Sequence, residues 1–327
     1  MRHAKILAFD SFTPEKVVTN DDLSKFIDTS DEWIYSRSGI KNRHISSKKE
    51  ENNSYLATRV CERLLKRTGK KPEDIDLLII ATVSPDYMTP STAAIVQGNI
   101  GASNAFCFDI SAACAGFIYA LSIADKFILG GKVKNAIVVG CEVLSKITDW
   151  DDRTTCVLFG DGAGGALVTA ADEKGILAED INTDGSRVPA LYGCENPVRN
   201  PFCKPDYELQ RYVKMDGRSV FDFAVKEVPK SIARLLDETG LTFENIKYII
   251  PHQANSRIVD GIARKLKLSL DKFFVNIQDY GNTSSASIPI ALTEMVEKGL
   301  LKMGSGDKII ISGFGAGLTW GSMLLSI

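Results

Sequence analysis

The sequence predicts an α/β protein built from two homologous βαβ-type lobes, with mixed sheets packed in layers around central helices. Two observations carry this. The chain repeats itself: Arg63–Ile75 (RLLKRTGKKPEDI) matches Arg234–Ile246 (RLLDETGLTFENI) at seven of thirteen positions, in a register that pairs position 63 with position 234. The strand candidates Leu77-Leu78-Ile79-Ile80 and Ile309-Ile310-Ile311 are apolar without alternation, as in strands covered by helices on both sheet faces. The offset is about half the chain, far too long for a solenoid repeat. The halves therefore read as an N-terminal lobe, 1–172, and a C-terminal lobe, 173–327, packed as one rigid body.

Taken in order, the repeated helix leads into strand candidates Asp76–Val83 and Lys247–Pro251, then into helical segments Thr92–Ile100 and Asn255–Leu268. Next, a strand ending near Phe108-Asp109-Ile110 breaks into Ser111-Ala112-Ala113-Cys114-Ala115-Gly116, where a helix begins. The same register sets Cys114 against Ser285 and Ala120-Leu121 against Ala291-Leu292. Strands Ala136–Val139 and Lys308–Ile311 follow. The proline-rich stretch Asp184–Pro205, which holds Cys194 and Cys203, reads as a surface excursion between the lobes.

Bulk properties bound the function. The chain has 327 residues and a net charge of −2, so no basic field points to nucleic acid or a membrane surface. No apolar run reaches the roughly 18 residues of a spanning helix, and the N-terminal apolar stretch is too short for a signal peptide. Seven cysteines with no CxxC spacing suit a reduced, cytoplasmic protein with no metal site.

Chemistry concentrates at three points. A thiol at a helix start faces unpaired N–H groups and the positive end of the macrodipole, so Cys114 is expected below the free-cysteine pKa of about 8.5. His252 stands where a strand's carboxyl end meets a helix, a common place for site residues in α/β sheets. His3 lies near the terminus and His44 in a basic segment. Asn282, in Gly281-Asn282-Thr283-Ser284-Ser285-Ala286-Ser287, occupies the turn that the repeat matches to Cys114. Taken singly, an inert core cysteine, a structural histidine and a simple loop are the commoner readings; their joint placement at equivalent mouths favours a site. Two chemistries stay open: a peptidase-like set with histidine as base, or an acyl-carrying cysteine with His and Asn donating to a thioester oxygen. The glycine-rich turn Ser312–Gly321 can bring backbone amides to a ligand, and one of them could join that of Cys114 as an oxyanion hole.

Six ordered motifs then resemble one family along essentially the whole chain: DEWIYSRSGI (31–40), AACAGF around Cys114, FGDGAG (159–164), PHQAN (251–255), YGNTSSAS (280–287) and GFGAGLTWG (313–321). Together they are similar to 3-oxoacyl-[acyl-carrier-protein] synthase III, the initiating condensing enzyme of type II fatty-acid synthesis, which has the thiolase fold. The resemblance implies that Cys114 takes an acyl group from an acyl-CoA, usually acetyl-CoA. It implies that His252 and Asn282 bind the malonyl-carrier thioester, and that the Cys114 and Ala316 amides form the oxyanion hole. Many relatives have glycine where Ala316 stands. Trp33, Arg37 and Arg153 match positions that hold the CoA adenine and phosphates. Gln253, Ala254, Asn255, Ser256 and Arg257 match the carrier-protein contact, next to a basic helix face with Arg264, Lys265 and Lys267. A homodimer is implied, with no cofactor beyond the two substrates. Thr89 stands where many relatives have an aromatic that closes the partner subunit's acyl pocket, so longer primers are expected to fit.

An elongating condensing enzyme would need a second site histidine, and a biosynthetic thiolase a cysteine near the C-terminus; neither is present. A secondary-metabolite condensing enzyme of the same fold and a non-catalytic acyl-carrier binding protein remain as alternatives.

Overall fold

Central strands of the two sheets, Asn135–Glu142 and Lys308–Gly315, are buried on both faces, and that dictates the layering of this computed structural model, which describes residues 2–327. The strands are β1 (His3–Phe12), β2 (Leu77–Ala81), β3 (Phe106–Ile110), β4 (Asn135–Glu142), β5 (Gly162–Ala171), β6 (Ile176–Thr183), β7 (Ile246–Pro251), β8 (Lys308–Gly315) and β9 (Thr319–Ser326). The principal helices are α1 (Asp31–Ser38), α2 (Asn53–Thr68), α3 (Thr92–Ile100), α4 (Gly116–Leu129), α5 (Gly217–Thr239), α6 (Ser256–Leu266) and α7 (Ser287–Glu297). Two short ribbons, 17–19 with 42–44 and 191–193 with 213–215, complete the strands.

The first sheet runs β1-β5-β4-β2-β3, with β4, β2 and β3 parallel and β1 and β5 antiparallel to their neighbours. The second runs β7-β8-β9-β6, with β7 and β8 parallel and the rest antiparallel. Successive side chains of a strand point to opposite faces. Leu77, Ile79 and Ala81 of β2 accordingly join one core, while Leu78 and Ile80 join another. The shared core holds Phe117, Leu121 and Ala124 of α4 with Ile288, Leu292 and Met295 of α7, against Ile309 and Ile311 of β8 and Met323 of β9. Helices α2 and α3 cover the outside of the first sheet, and α5 and α6 the outside of the second. Five layers result, with α4 and α7 innermost.

The sequence repeat survives as geometry. Helices α2 and α5 end at Thr68 and Thr239, each on a left-handed glycine (Gly69, φ 68°; Gly240, φ 66°). Tight 3₁₀ turns follow at Pro72–Asp74 and Phe243–Asn245, then at Ala113–Ala115 and Ser284–Ala286, directly ahead of α4 and α7. Every one of these pairs keeps the register of the sequence repeat.

Two boundaries differ from the sequence reading. Strand β4 runs on to Glu142, since Gly140, Cys141 and Glu142 pair with Gly164, Ala163 and Gly162 of β5 whatever their hydropathy. The stretch 184–205 is not between the sheets. The chain has already crossed into the second sheet through β6, so the excursion is an insertion between β6 and α5. It carries a 3₁₀ segment (Gly185–Ala190) and one strand of a ribbon, and both its cysteines are exposed.

Candidate active site

The Cys114 turn closes because its neighbours have almost no side chain. A β-carbon on Gly315 would lie 2.7 Å from the Cys114 amide nitrogen, and one on Gly313 would lie 2.9 Å from Ala115 Cα. Strand β8 of the second sheet thus presses its backbone against the turn that carries the thiol. Thr319 ties the two together, its hydroxyl within hydrogen-bond reach of the carbonyls of both Ala112 (3.0 Å) and Ala316 (2.9 Å), which share its one proton. The peptide joining Gly315 to Ala316 therefore lies beside the Cys114 amide.

Burial sets the protonation of that thiol, and it reverses the sequence expectation. Cys114 is buried, and desolvation pushes its pKa up to about 12; a hydrogen bond with Ser284 opposes this and the Glu142 carboxyl adds to it. The helix start is also weaker than expected, because Cys114 lies inside a 3₁₀ turn ahead of α4. At neutral pH the sulfur is therefore a thiol.

His252 follows β7, its amide donating to the Ser312 carbonyl at 2.7 Å. Its ring is buried, meets the Phe314 ring edge-on at 5.2 Å, and has Nδ1 2.6 Å from Ser287 Oγ. Desolvation drops its pKa to about 3, so the imidazole is neutral. Asn282 is pinned by its backbone, which donates to Leu158 O (2.8 Å) and accepts from Gly160 N (3.0 Å). Its Oδ1 accepts the Ser284 amide at 2.9 Å, which leaves Nδ2 to donate.

Cys114, His252 and Asn282 line one cavity of about 760 Å³, together with Phe314 and Gly315. Arg37, Arg218, Arg257 and Arg264 also line it. Beside it, the guanidinium groups of Arg37 and Arg153 lie 4.5 Å and 5.2 Å from the centre of the Trp33 ring. Among the described residues, no group of three or more His, Cys, Asp or Glu could hold a metal ion.

The sequence-predicted residues divide. Arg257 is exposed, while Ala254, Asn255 and Ser256 are half-buried. Asn255 caps α6, accepting from Arg257 N while donating to Arg37 O, and Arg257 donates to Ser36 O. Gln253 is different. It is buried, its amide donates to Pro251 O and Phe274 O, and its Oε1 accepts Asn276 N. Its side chain therefore faces the interior, unlike that of Arg257. Thr89 is exposed in a run with Tyr87 and Met88 and does not line this cavity.

Sequence reasoning missed two groups. Ser287 was inside the YGNTSSAS motif but had no role. Glu142, at the end of β4, is buried and accepts from Ser84 Oγ (2.8 Å), Val83 N (3.1 Å), Ser285 Oγ (3.1 Å) and Ser284 Oγ (3.2 Å). Burial raises its pKa against those donors. No sequence spacing signals either group, because their partners His252 and Ser284 are remote in the chain.

Family profiles decide the kinship. One described as 3-oxoacyl-[acyl-carrier-protein (ACP)] synthase III matches residues 108–185, and its C-terminal counterpart matches 236–327. The chain belongs to the 3-oxoacyl-[acyl-carrier-protein] synthase III family. A beta-ketoacyl-[acyl-carrier-protein] synthase III of Clostridium acetobutylicum is 53% identical over 99% of both chains. One of Streptococcus uberis is 51% identical over the whole of both. Among solved structures, the Aquifex aeolicus synthase III (45% identity, TM-score 0.91) covers 99% of this chain and 100% of its own. The priming β-ketosynthase of the R1128 polyketide pathway (34% identity, TM-score 0.91) covers 100% of this chain and 96% of its own. The architecture is accordingly the thiolase fold, and the family member is an acyltransferase-type condensing enzyme that initiates fatty-acid synthesis.

Proposed function

We propose that this chain condenses an acyl-CoA primer, acetyl-CoA first, with malonyl-acyl-carrier protein in the cytoplasm, through an acyl group carried on Cys114. The observation that carries it is the convergence, in one cavity, of a buried thiol with two side chains whose remaining polar faces can donate. In the first half-reaction Cys114 Sγ bonds the acyl carbonyl carbon and the acyl–sulfur bond to CoA breaks. The thiol proton leaves with the CoA thiolate. The Cys114 and Ala316 amides hold the oxyanion as it forms. In the second, the malonyl carboxylate departs as CO2, and its bonding pair becomes an enolate whose oxygen is held by His252 and Asn282. Donors that strengthen as this charge develops lower the barrier. The enolate carbon then attacks the acyl-cysteine carbonyl, forming the new carbon–carbon bond as the carbon–sulfur bond breaks, and the departing Cys114 thiolate takes a proton from solvent.

The entrance supports a CoA site. Trp33 offers an aromatic surface for the adenine, and the nearby Arg37 and Arg153 can fork onto phosphates. Ala254, Asn255, Arg257 and Arg264 line the cavity, with Ser256 next in the chain, and basic side chains there suit an acidic carrier. Lobes 1–172 and 173–327 form the two halves. In a homodimer Thr89 would face the partner's pocket, and its small side chain would admit longer primers.

The test is mass spectrometry after incubation with acetyl-CoA, followed by an acyl-CoA panel with malonyl-acyl-carrier protein. One acetyl group should appear on the wild type and vanish in Cys114→Ser, and butyryl-CoA should turn over alongside acetyl-CoA. No mass gain would overturn the acyl-cysteine. Strict acetyl preference would overturn the role of Thr89, and rejection of malonyl-acyl-carrier protein would favour a secondary-metabolite condensation.

A further inference from the structure

We infer that Ser287 is a positioning residue that fixes the tautomer of His252, so that the ring presents Nε2–H, a donor, to the cavity. The inference deepens the role proposed above for His252 and rests on it. Ser287 opens α7 with its side chain buried. Its Oγ accepts the amide of Gln253 at 3.3 Å and lies 2.6 Å from His252 Nδ1. A backbone amide can only donate, so that contact uses a lone pair on the hydroxyl. The hydroxyl has one proton to give, and among the described residues His252 Nδ1 is the acceptor in reach. An Nδ1 that accepts carries no proton, and a neutral imidazole must then carry it on Nε2. The opposite tautomer would leave the Ser287 hydroxyl buried, accepting twice and donating to nothing.

The repeat supplies an internal contrast. Its register places Ala81 at the position of His252 and Gly116 at that of Ser287. In the first half these two merely pack, since a β-carbon on Gly116 would lie 2.9 Å from Ala81 Cβ. The second half puts a hydrogen-bonded pair in the same place. Asn282 follows the same logic, its Oδ1 occupied by the Ser284 amide so that its amino group points onward. Both groups meet the thioester oxygen as donors, and a lone pair on Nε2 would repel that oxygen as it gains charge.

The protein holds only three histidines, so two-bond ¹H–¹⁵N spectra of ¹⁵N-histidine-labelled enzyme can assign each ring, with His252→Gln identifying the third. The wild type should show a pyridine-like Nδ1 and a protonated Nε2 at His252. Ser287→Ala should shift the ring toward the Nδ1–H form and lower condensation turnover by roughly tenfold or more, with KM for the acyl-CoA little moved. Ser287→Thr, which keeps the hydroxyl, should restore both tautomer and turnover. An Nδ1–H tautomer in the wild type would overturn the inference, whether or not Ser287→Ala folds, as would an unchanged tautomer in Ser287→Ala. If wild-type Cys114 never acylates, the proposed function falls, while the spectra still decide the tautomer in the free protein.

Discussion

Ala113 and Ser284 occupy equivalent places in the two halves and share a left-handed backbone, φ 45° and 50°. Each opens a 3₁₀ turn that feeds a central helix. Left-handed non-glycine residues cost free energy and persist where surroundings over-determine them. The surroundings here are crossed between halves. Gly140 of β4, in the first sheet, lies against the second half's turn, where a β-carbon would meet Ser285 O at 2.2 Å. Gly313 of β8, in the second sheet, lies against the first half's turn at Cys114 and Ala115. Each half holds the other's active turn in place.

Enlarging the side chain at the strained position therefore has a definite cost. Ala113→Val should lose about 1–3 kcal/mol in urea denaturation, since a β-branched residue resists the left-handed region. Ala113→Gly should stay within about 1 kcal/mol of the wild type. Equal stability of the valine and glycine variants would show that the strain is not there.

Two glycines should respond to alanine with opposite signs. Gly315→Ala puts a β-carbon 2.7 Å from the Cys114 nitrogen and 3.2 Å from Ala113 Cβ. It should slow acylation of Cys114 at least tenfold, as read by intact mass against time. Gly98→Ala, inside α3 with nothing within 4 Å of the added carbon, should stabilise by up to about 1 kcal/mol. A destabilised Gly98→Ala would argue against open space at that point.

The neutral histidine has a pH signature. Its folded pKa of about 3 lies below the ordinary 6.5, so between those values the unfolded chain binds the extra proton. Stability from this group is complete above about pH 6.5 and falls as pH drops toward 3, with a slope of up to about 1.4 kcal/mol per pH unit. In His252→Gln that part of the slope should disappear from denaturation midpoints measured over pH 4–6.5. Condensation should likewise show no inflection near 6.5 from this ring, and a clear one would mean that it titrates normally.

Cys114 should titrate late. With burial holding its pKa at about 12, the rate of iodoacetamide alkylation, followed by peptide mass, should keep climbing from pH 6 to 10. A plateau near pH 7 would restore the thiolate that the helix start suggested.

The repeat let the sequence locate the site without any contact information. Cys114, His252 and Asn282, which share one cavity, were legible because each follows an apolar strand or turn at a repeat-related place. The orientation of the Gln253 side chain was not legible. A motif gives a residue's position in the chain, and three hydrogen bonds to 251, 274 and 276 turned its side chain inward. The thiol's state was misjudged because helix-start electrostatics are local, whereas desolvation depends on everything packed above the sulfur.

The two-fold plan, the strands buried on both faces and the chemical kinds of group at the mouths follow from periodicity and residue type alone. Which proton sits where depends on contacts made in the folded protein. The neutral ring of His252, the donor face left to Asn282, the high pKa of Cys114 and the carboxyl of Glu142 behind it arise from partners remote in the chain. Hydrogen bonding and desolvation act through space, and no spacing along the sequence encodes them.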